Sequence, residues 1–344
     1  MTPDLDSSAS KQADERAHLA EVRVVWAAMR WAIFGAGAIG TWVGAALARA
    51  GEEVTLVARG RHLDALRAAG EARLRDPEGI EERVPVRAVG AEETSEVGAV
   101  DVVVLTVKAH DLLPAAEAIA PLIGEGTVLV SAQNGIPWWW GRVEAVDPGG
   151  ALSAVLDPAR ALGAVVYLGG SVVEPGVVAT SPEAGLVLGE PGGTPTERLE
   201  TVAAGLERAG FPVRRTENIR REIWTKMMGN ASFNIISVLT RAGIGTMASD
   251  PGVAPIVERT MQDIVAIAGA DAPAISVAER IAISRRLGDH KPSTLQDLEA
   301  GKRLELDALG AAVVELADQA GVEAPTLRAI FALADLQARR LGLR

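Results

Sequence analysis

An apolar run, Met29-Arg30-Trp31-Ala32-Ile33-Phe34, ends directly on Gly35-Ala36-Gly37-Ala38-Ile39-Gly40. No other segment restricts the fold as much. Residues 29–34 read as a short strand and residues 38–50 as a helix of small side chains, closed by Gly51. A G-x-G-x-x-G turn between strand and helix, opening a βαβ unit, has a specific physical use. Gly35 permits the tight turn, Gly37 lets a pyrophosphate approach the backbone, and Gly40 lets the helix pack closely on the strand. The first amides of the helix, those of Ala38 and Ile39, are then offered to the phosphates. Taken alone the turn is a weak signal, because glycine-rich turns are common. Its position after a strand and before a helix gives it weight.

The second strand, 54–57, runs on as Ala58-Arg59-Gly60-Arg61. A chain that binds NAD usually places Asp or Glu there, against the ribose hydroxyls. No acid is present, and a guanidinium such as that of Arg59 suits the 2′-phosphate of NADP(H). The other reading is that Arg59 and Arg61 are solvated loop charges. Residues 62–69 and 111–123 fit helices, while 101–107 and 127–131 fit strands. The run 101–107 is continuously apolar, as in a parallel sheet buried on both faces. Lys108 follows the first of these two strands and Gln133-Asn134-Gly135 the second. Both stand at the carboxyl edge, where open parallel sheets take ligands. An ordinary turn would also explain Asn134-Gly135.

From 163 to 190 the pattern is β-rich, with segments at 164–168, 172–178 and 186–189 that could be hairpins or further strands of the sheet. A helix over 195–209 and a strand over 211–214 follow. From about 217 almost everything is helical: 219–240, 252–268, 273–287, 293–320 and 325–342. The expected fold class is therefore α/β plus all-α. An N-terminal Rossmann-type dinucleotide-binding domain over 29–216 precedes a helical C-terminal substrate and catalytic domain over 217–344.

Composition narrows the function. A length of 344 residues makes two domains the natural expectation. A net charge of -11 without a long basic run argues against a nucleic-acid partner. There is no cysteine, so no thiolate nucleophile and no Cys-based metal site. The four histidines, His18, His62, His110 and His290, are scattered without ligand spacing, which argues against a metal enzyme. No apolar run approaches the ~18 residues of a membrane span. Residues 1–28 carry no signal-peptide apolar block and read as a disordered N-terminal extension or an artefact of start-codon choice. A cytoplasmic location follows by default.

The second informative segment is Lys226-x3-Asn230-x3-Asn234. Apolar residues lie on every side of 222–240, as in a buried helix, yet these three polar residues share one face. A buried ammonium is costly unless paired or solvated, and Asn is a poor helix former. A polar network that staples the helix to the other domain is one explanation, and a substrate site is the other. Further on, Ser293 could cap a helix, with Gln296 completing a capping box. Glu305 read alone is ambiguous, since most helical glutamates are solvated.

Taken in order, Gly35 to Gly40, Val107-Lys108-Ala109, Gln133-Asn134-Gly135, Lys226-x3-Asn230-x3-Asn234 and Ser293-x11-Glu305 resemble the ketopantoate reductase (2-dehydropantoate 2-reductase) family. The match spans about 29–340 and is far more specific as a set than any one motif. The resemblance implies a Rossmann-type NADP(H) domain joined to a helical domain, with the active site in the cleft. It implies NADPH-dependent reduction of a small 2-oxoacid, with Lys226 protonating the carbonyl oxygen. Asn230, Asn234 and Ser293 would bind the substrate's carboxylate and hydroxyl groups. Asn134 would hold the nicotinamide ribose or the substrate, Lys108 would contact the cofactor, and Glu305 would contact its ribose and support the catalytic geometry.

Two features depart from that pattern. Trp138-Trp139-Trp140 follow the Gln-Asn-Gly turn, and either pack at an interface or wall the substrate pocket. Gly229 stands inside the key helix, where it costs ~1 kcal/mol against Ala and could admit a close neighbour or ligand. Reduction of ketopantoate for pantothenate and coenzyme A synthesis is the first functional reading. A relative acting on a bulkier 2-oxoacid is the second, and a non-catalytic NADP-sensing protein the third. The apolar C-terminal helices could pair two chains into a homodimer or bury their faces within one.

Overall fold

The computed structural model describes residues 28–181 and 185–344. The disordered extension expected over 1–28 lies outside them, apart from Ala28. Among the described residues the N-terminal part carries twelve strands. They are β1 (Arg30–Phe34), β2 (Glu53–Val57), β3 (Glu71–Arg75), β4 (Glu81–Pro85), β5 (Arg87–Val89), β6 (Val100–Leu105), β7 (Ile123–Ser131), β8 (Ala161–Val166), β9 (Gly170–Glu174), β10 (Val177–Thr180), β11 (Leu186–Gly189) and β12 (Val213–Arg215). Five helices lie among them: α1 (Ala38–Arg49), α2 (Gly60–Ala69), α3 (Thr94–Val97), α4 (Ala109–Ile119) and α5 (Glu197–Arg208). After β12 every element is helical: α6 (Ile219–Gly229), α7 (Ile235–Thr240), α8 (Ile244–Ser249), α9 (Ala254–Ala268), α10 (Val277–Arg285), α11 (Ser293–Glu299), α12 (Ala312–Ala320) and α13 (Pro325–Arg340). No helix among the described residues is long and apolar enough to cross a membrane.

Eight strands form one sheet in the order β12-β11-β8-β7-β6-β1-β2-β5. All neighbours are parallel except β11 with β8. Strands β1 and β6 are adjacent while β1 feeds β2 on its other side, so the chain reverses direction between β1 and β6, where doubly wound sheets open a crevice. The register brings the strand ends level. Phe34 lies opposite Val57 and Leu105, Leu105 opposite Ser131, and Ser131 opposite Gly163. The glycine turn, Arg59, Lys108 and Asn134 therefore all leave the sheet at one edge.

Alternation along the strands divides the interior. Trp31, Ile33, Val102 and Val104 bury against the face covered by α1 and α5. Ala32, Phe34, Val103 and Leu105 turn to the other face, whose core runs without a break into Trp224, Met228, Phe233 and Leu309 of the helical half. The two halves thus share one apolar core, which holds the crevice at a fixed width.

The β-rich stretch resolves into both of the expected alternatives. Strands β8 and β11 extend the main sheet, whereas β9 and β10 pair into a hairpin that joins β3 and β4 in a separate four-stranded sheet. The helix expected over 293–320 is interrupted. It stops at Glu299, with Gly301 at φ +64 just beyond, and resumes near Asp307. Such a left-handed residue costs glycine nothing and ends a helix readily. The capping box expected at Ser293 does not form either. Pro292 occupies the N-cap position, and Gln296 Nε2 donates instead to the Lys291 carbonyl, 2.9 Å away.

Candidate active site

The glycine turn is shaped by the absence of side chains. Gly35 sits at φ +104, and a Cβ there would stand 2.5 Å from the Val107 nitrogen. A Cβ on Gly40 would stand 2.5 Å from the Gly35 carbonyl, and one on Gly44 would come 2.3 Å from Leu56 Cδ2. These contacts press α1 onto β1 and β2. Gly37 is different: it is exposed, and its nearest neighbour would be 4.0 Å away. The three glycines therefore serve a turn, an open approach and a close packing, in that order. No side chain caps the start of α1, so its first amides, including those of Ala38 and Ile39, carry no such partner. Thr106 ties the crevice shut from below, donating from its amide to the Phe34 carbonyl and from Oγ1 to the Gly35 carbonyl, both at 2.9 Å.

Arg59 stands at the N-terminus of α2 with its side chain 87% exposed, paired at 2.9 Å with Asp111. Lys108 turns toward the helical half and forms an ion pair with Asp297 of α11. The next amide, that of Ala109, donates to Glu305 Oε1 at 3.3 Å. The Gln133-Asn134-Gly135 turn is wedged against the helical half as well. The Ile136 amide donates to the Ala308 carbonyl at 3.0 Å, and Gly135 lies so close that a Cβ would be 2.5 Å from Ala308 Cβ.

Opposite this edge, α6 runs on through a π-helical turn, Asn230–Asn234, into α7. A second π-helical turn, Asp307–Ala311, begins two residues after Glu305. Wide turns of this kind are rare and recur at functional sites. Lys226 is half-buried at the C-terminal end of α6, and its Nζ donates to the Val166 carbonyl of β8 at 2.7 Å. Burial pulls the ammonium down to about 8, while the Glu305 carboxylate pulls it back up. Glu305 is itself buried, which raises its carboxyl above the usual range against the opposing influence of Lys108.

A small cavity joins the two sides, lined by Gln133, Asn134, Gly135, Ala164, Val165, Ile223, Lys226, Met227 and Asn230. The structure thus brings Asn134, Lys226 and Asn230 together, with Glu305 and Lys108 coupled to them by charge. Asn234 is buried further along the same helix. Ser293 is exposed on α11, four residues before Asp297 and so on the face that meets Lys108. Among the described residues no group of three or more His, Asp or Glu side chains could hold a metal ion.

Several groups at the site escape a reading of the sequence. Gln133 Nε2 is buried without a hydrogen-bond partner at the cavity. Tyr167, just past β8, has its ring centre 5.8 Å from Lys226 Nζ. Asp297 holds Lys108. Gly229 has the Arg280 guanidinium laid over it, so that a Cβ there would lie 2.2 Å from Arg280 Nη2. The tryptophans take the packing alternative. All three are buried, Trp138 Nε1 donates to the Leu156 carbonyl at 2.9 Å, and Trp140 meets Trp224 edge-on with centroids 5.7 Å apart. Arg220 covers Trp140 at 4.5 Å. None of the three lines the cavity.

A sheet edge shaped for a dinucleotide, facing a half-buried lysine across a crevice, defines a nicotinamide-dependent oxidoreductase. Comparison with known proteins narrows the class. The family model for ketopantoate reductase PanE/ApbA matches residues 31–193, and that for its C-terminal region matches 218–338. The chain belongs to the ketopantoate reductase family. It is 42% identical over 319 residues to the 2-dehydropantoate 2-reductase of Mesorhizobium japonicum, covering 89% of this chain and 96% of that protein. A crystal structure from Ralstonia solanacearum, described as a candidate ketopantoate reductase, superposes with a TM-score of 0.86 at 39% identity, covering 92% and 100% of the two chains. A PanE/ApbA family ketopantoate reductase from Ralstonia eutropha gives a TM-score of 0.78 at 32% identity over 91% and 100%.

Proposed function

We propose that the protein reduces 2-dehydropantoate to pantoate with NADPH, a step of pantothenate and coenzyme A biosynthesis. The observation that carries this reading is Lys226, an amine drawn down to about 8 at a cavity on the ligand edge of the sheet. The relatives' names support the substrate. The residues present fit the cofactor: Gly37 leaves room for a pyrophosphate, the α1 amides face it, and the orphaned Gln133 amide awaits an acceptor. Arg59, exposed where an acid would favour NAD, supports the 2′-phosphate form.

When bound, NADPH supplies the hydride for the substrate's carbonyl carbon. Lys226 donates a proton to the oxygen on which negative charge develops, a role suited to an amine whose pKa stands near the working pH. Glu305 holds Lys226 charged and, with Lys108, spans the crevice to the cofactor ribose. Asn230, Asn234 and Ser293 hold the substrate's hydroxyl and carboxylate groups, and Asn134 positions the ribose or the substrate. The packed tryptophans leave the cavity free of bulk, which removes the main reason for a larger 2-oxoacid. Exposed Leu333 and Leu336 on α13 support pairing of two chains through the helical half, which light scattering would test.

An assay of NADPH oxidation with ketopantoate and a panel of 2-oxoacids tests the proposal. Preference for ketopantoate is the expected result. Tight NADPH binding without turnover of any 2-oxoacid would instead leave a nucleotide sensor.

A further inference from the structure

Arg280 of α10 is a half-buried cation that the proposed mechanism does not use. Among the described residues its guanidinium makes no hydrogen bond and no ion pair, and its Nε is buried without a partner. Burial lowers its pKa, opposed among the described residues by Tyr167 and by no carboxylate. Most other arginines in the structure are paired: Arg198 with Glu190, Arg208 with Glu52, Arg214 with Glu222 and Arg344 with Asp307 and Asp335. An unpaired, partly desolvated guanidinium is costly to keep in a folded chain. A site completed by an anionic ligand accounts for it.

Its position says which ligand. The guanidinium lies against the backbone of Gly229, where a Cβ would come 2.2 Å from Nη2, 2.9 Å from Cζ and 3.0 Å from Nε. Gly229 stands three residues after Lys226 and directly before Asn230, so Arg280 rests on the turn of α6 that presents both of them to the cavity. Gly inside a helix costs about 1 kcal/mol relative to Ala, and here the missing side chain is what admits the guanidinium. Tyr167 links the two cations. Its ring is 5.8 Å from Lys226 Nζ, and burial raises its pKa against the opposing charge of Arg280.

We infer that Arg280 is a substrate-binding residue that takes the carboxylate of the 2-oxoacid, with Lys226 facing the neighbouring carbonyl oxygen. The fork of a guanidinium matches the two oxygens of a carboxylate. Gly229 is the seat of this clamp. The inference deepens the reductase reading and rests on it for the identity of the substrate.

Binding and turnover separate the two. Oxamate, a carboxylate that mimics a 2-oxoacid but resists reduction, is titrated calorimetrically into the NADPH-loaded protein. Arg280→Gln is expected to weaken oxamate by about 10- to 100-fold and to raise KM for ketopantoate similarly, while the Kd for NADPH and the melting temperature stay unchanged. Arg280→Lys should recover part of the loss. Gly229→Ala, which keeps the arginine but pushes it off its seat, should move oxamate binding in the same direction and covers the case in which Arg280→Gln fails to fold. Unchanged oxamate binding in these variants, absence of oxamate binding by the wild type, or a loss confined to NADPH would each overturn the inference. Arg280-dependent oxamate binding by a protein that reduces no 2-oxoacid would uphold the clamp and sink the reductase.

Discussion

The two sides of the crevice are built on opposite principles. The sheet edge works by leaving side chains out: Gly35, Gly37 and Gly40 provide a turn, an opening and a close contact, and the first helix amides there have no side-chain cap. The helical side works by burying charge: Lys226, Glu305 and Arg280 are all desolvated, each with its pKa displaced. The turn's conformation is written into three glycines within six positions, and what it asks of its tertiary neighbours Thr106 and Val107 is close packing rather than compensation of a charge. A buried ammonium is tolerated only when a whole tertiary arrangement offers it a carbonyl, a carboxylate and a shielded cavity. The proposed cofactor side is therefore specified largely by one short segment, and the proposed chemistry by a whole tertiary arrangement.

The sharpest break of that contrast is Lys226→Ala. Its removal is expected to lower kcat by about 10²–10⁴-fold while the Kd for NADPH stays put, as single-turnover and binding measurements would show. If NADPH binding collapses together with turnover, the division of labour is wrong. The glycines give the complementary experiment. Gly37→Ala has room for its methyl group and should leave stability within about 0.5 kcal/mol, yet weaken NADPH by about tenfold or more through the lost close approach. Gly35→Ala should also unfold earlier, because the φ of +104 alone costs about 1–3 kcal/mol. Thermal melts alongside fluorescence titration distinguish the two.

Arg59→Ala is expected to cost about tenfold in affinity for NADPH and little for NADH; equal losses for both would remove the 2′-phosphate from the account. The smallest effect concerns pH. A proton donor must be charged, so kcat/KM for reduction should be flat below about 8 and fall tenfold per unit above it. Glu305 raises the Lys226 pKa, so Glu305→Gln should shift this limb to lower pH, by up to about one unit. A shift to higher pH would mean that the carboxylate does not act on the amine.

What the sequence disclosed follows the same division. The strand-glycine-helix order, the apolar strands and the polar stripe at 226–234 were readable because their periods and turn residues are short-range. The break after Glu299 was harder, since Gly301 sits in a stretch whose pattern otherwise continues as a helix. The π-helical turns left no composition signal at all. Arg280 looked like any surface arginine on a helix, because being unpaired is a property of the folded neighbourhood. Gly229 was the single hint of it, a destabilising choice whose cause lies 51 positions further along the chain. The tryptophan triplet drew attention by size, yet its weight falls in the shared core rather than in the cavity.

The contact of Gly135 with Ala308 has a consequence for how this protein can diversify. With backbone from one half touching a methyl group from the other, the pair acts as a spacer of fixed thickness between two working surfaces. One added carbon at either position would prise Lys226 away from the Gln133-Asn134-Gly135 turn by a distance comparable to a bond length. A variant of this chain built for a larger molecule would have to gain volume elsewhere, because the gauge between the halves is already at its minimum.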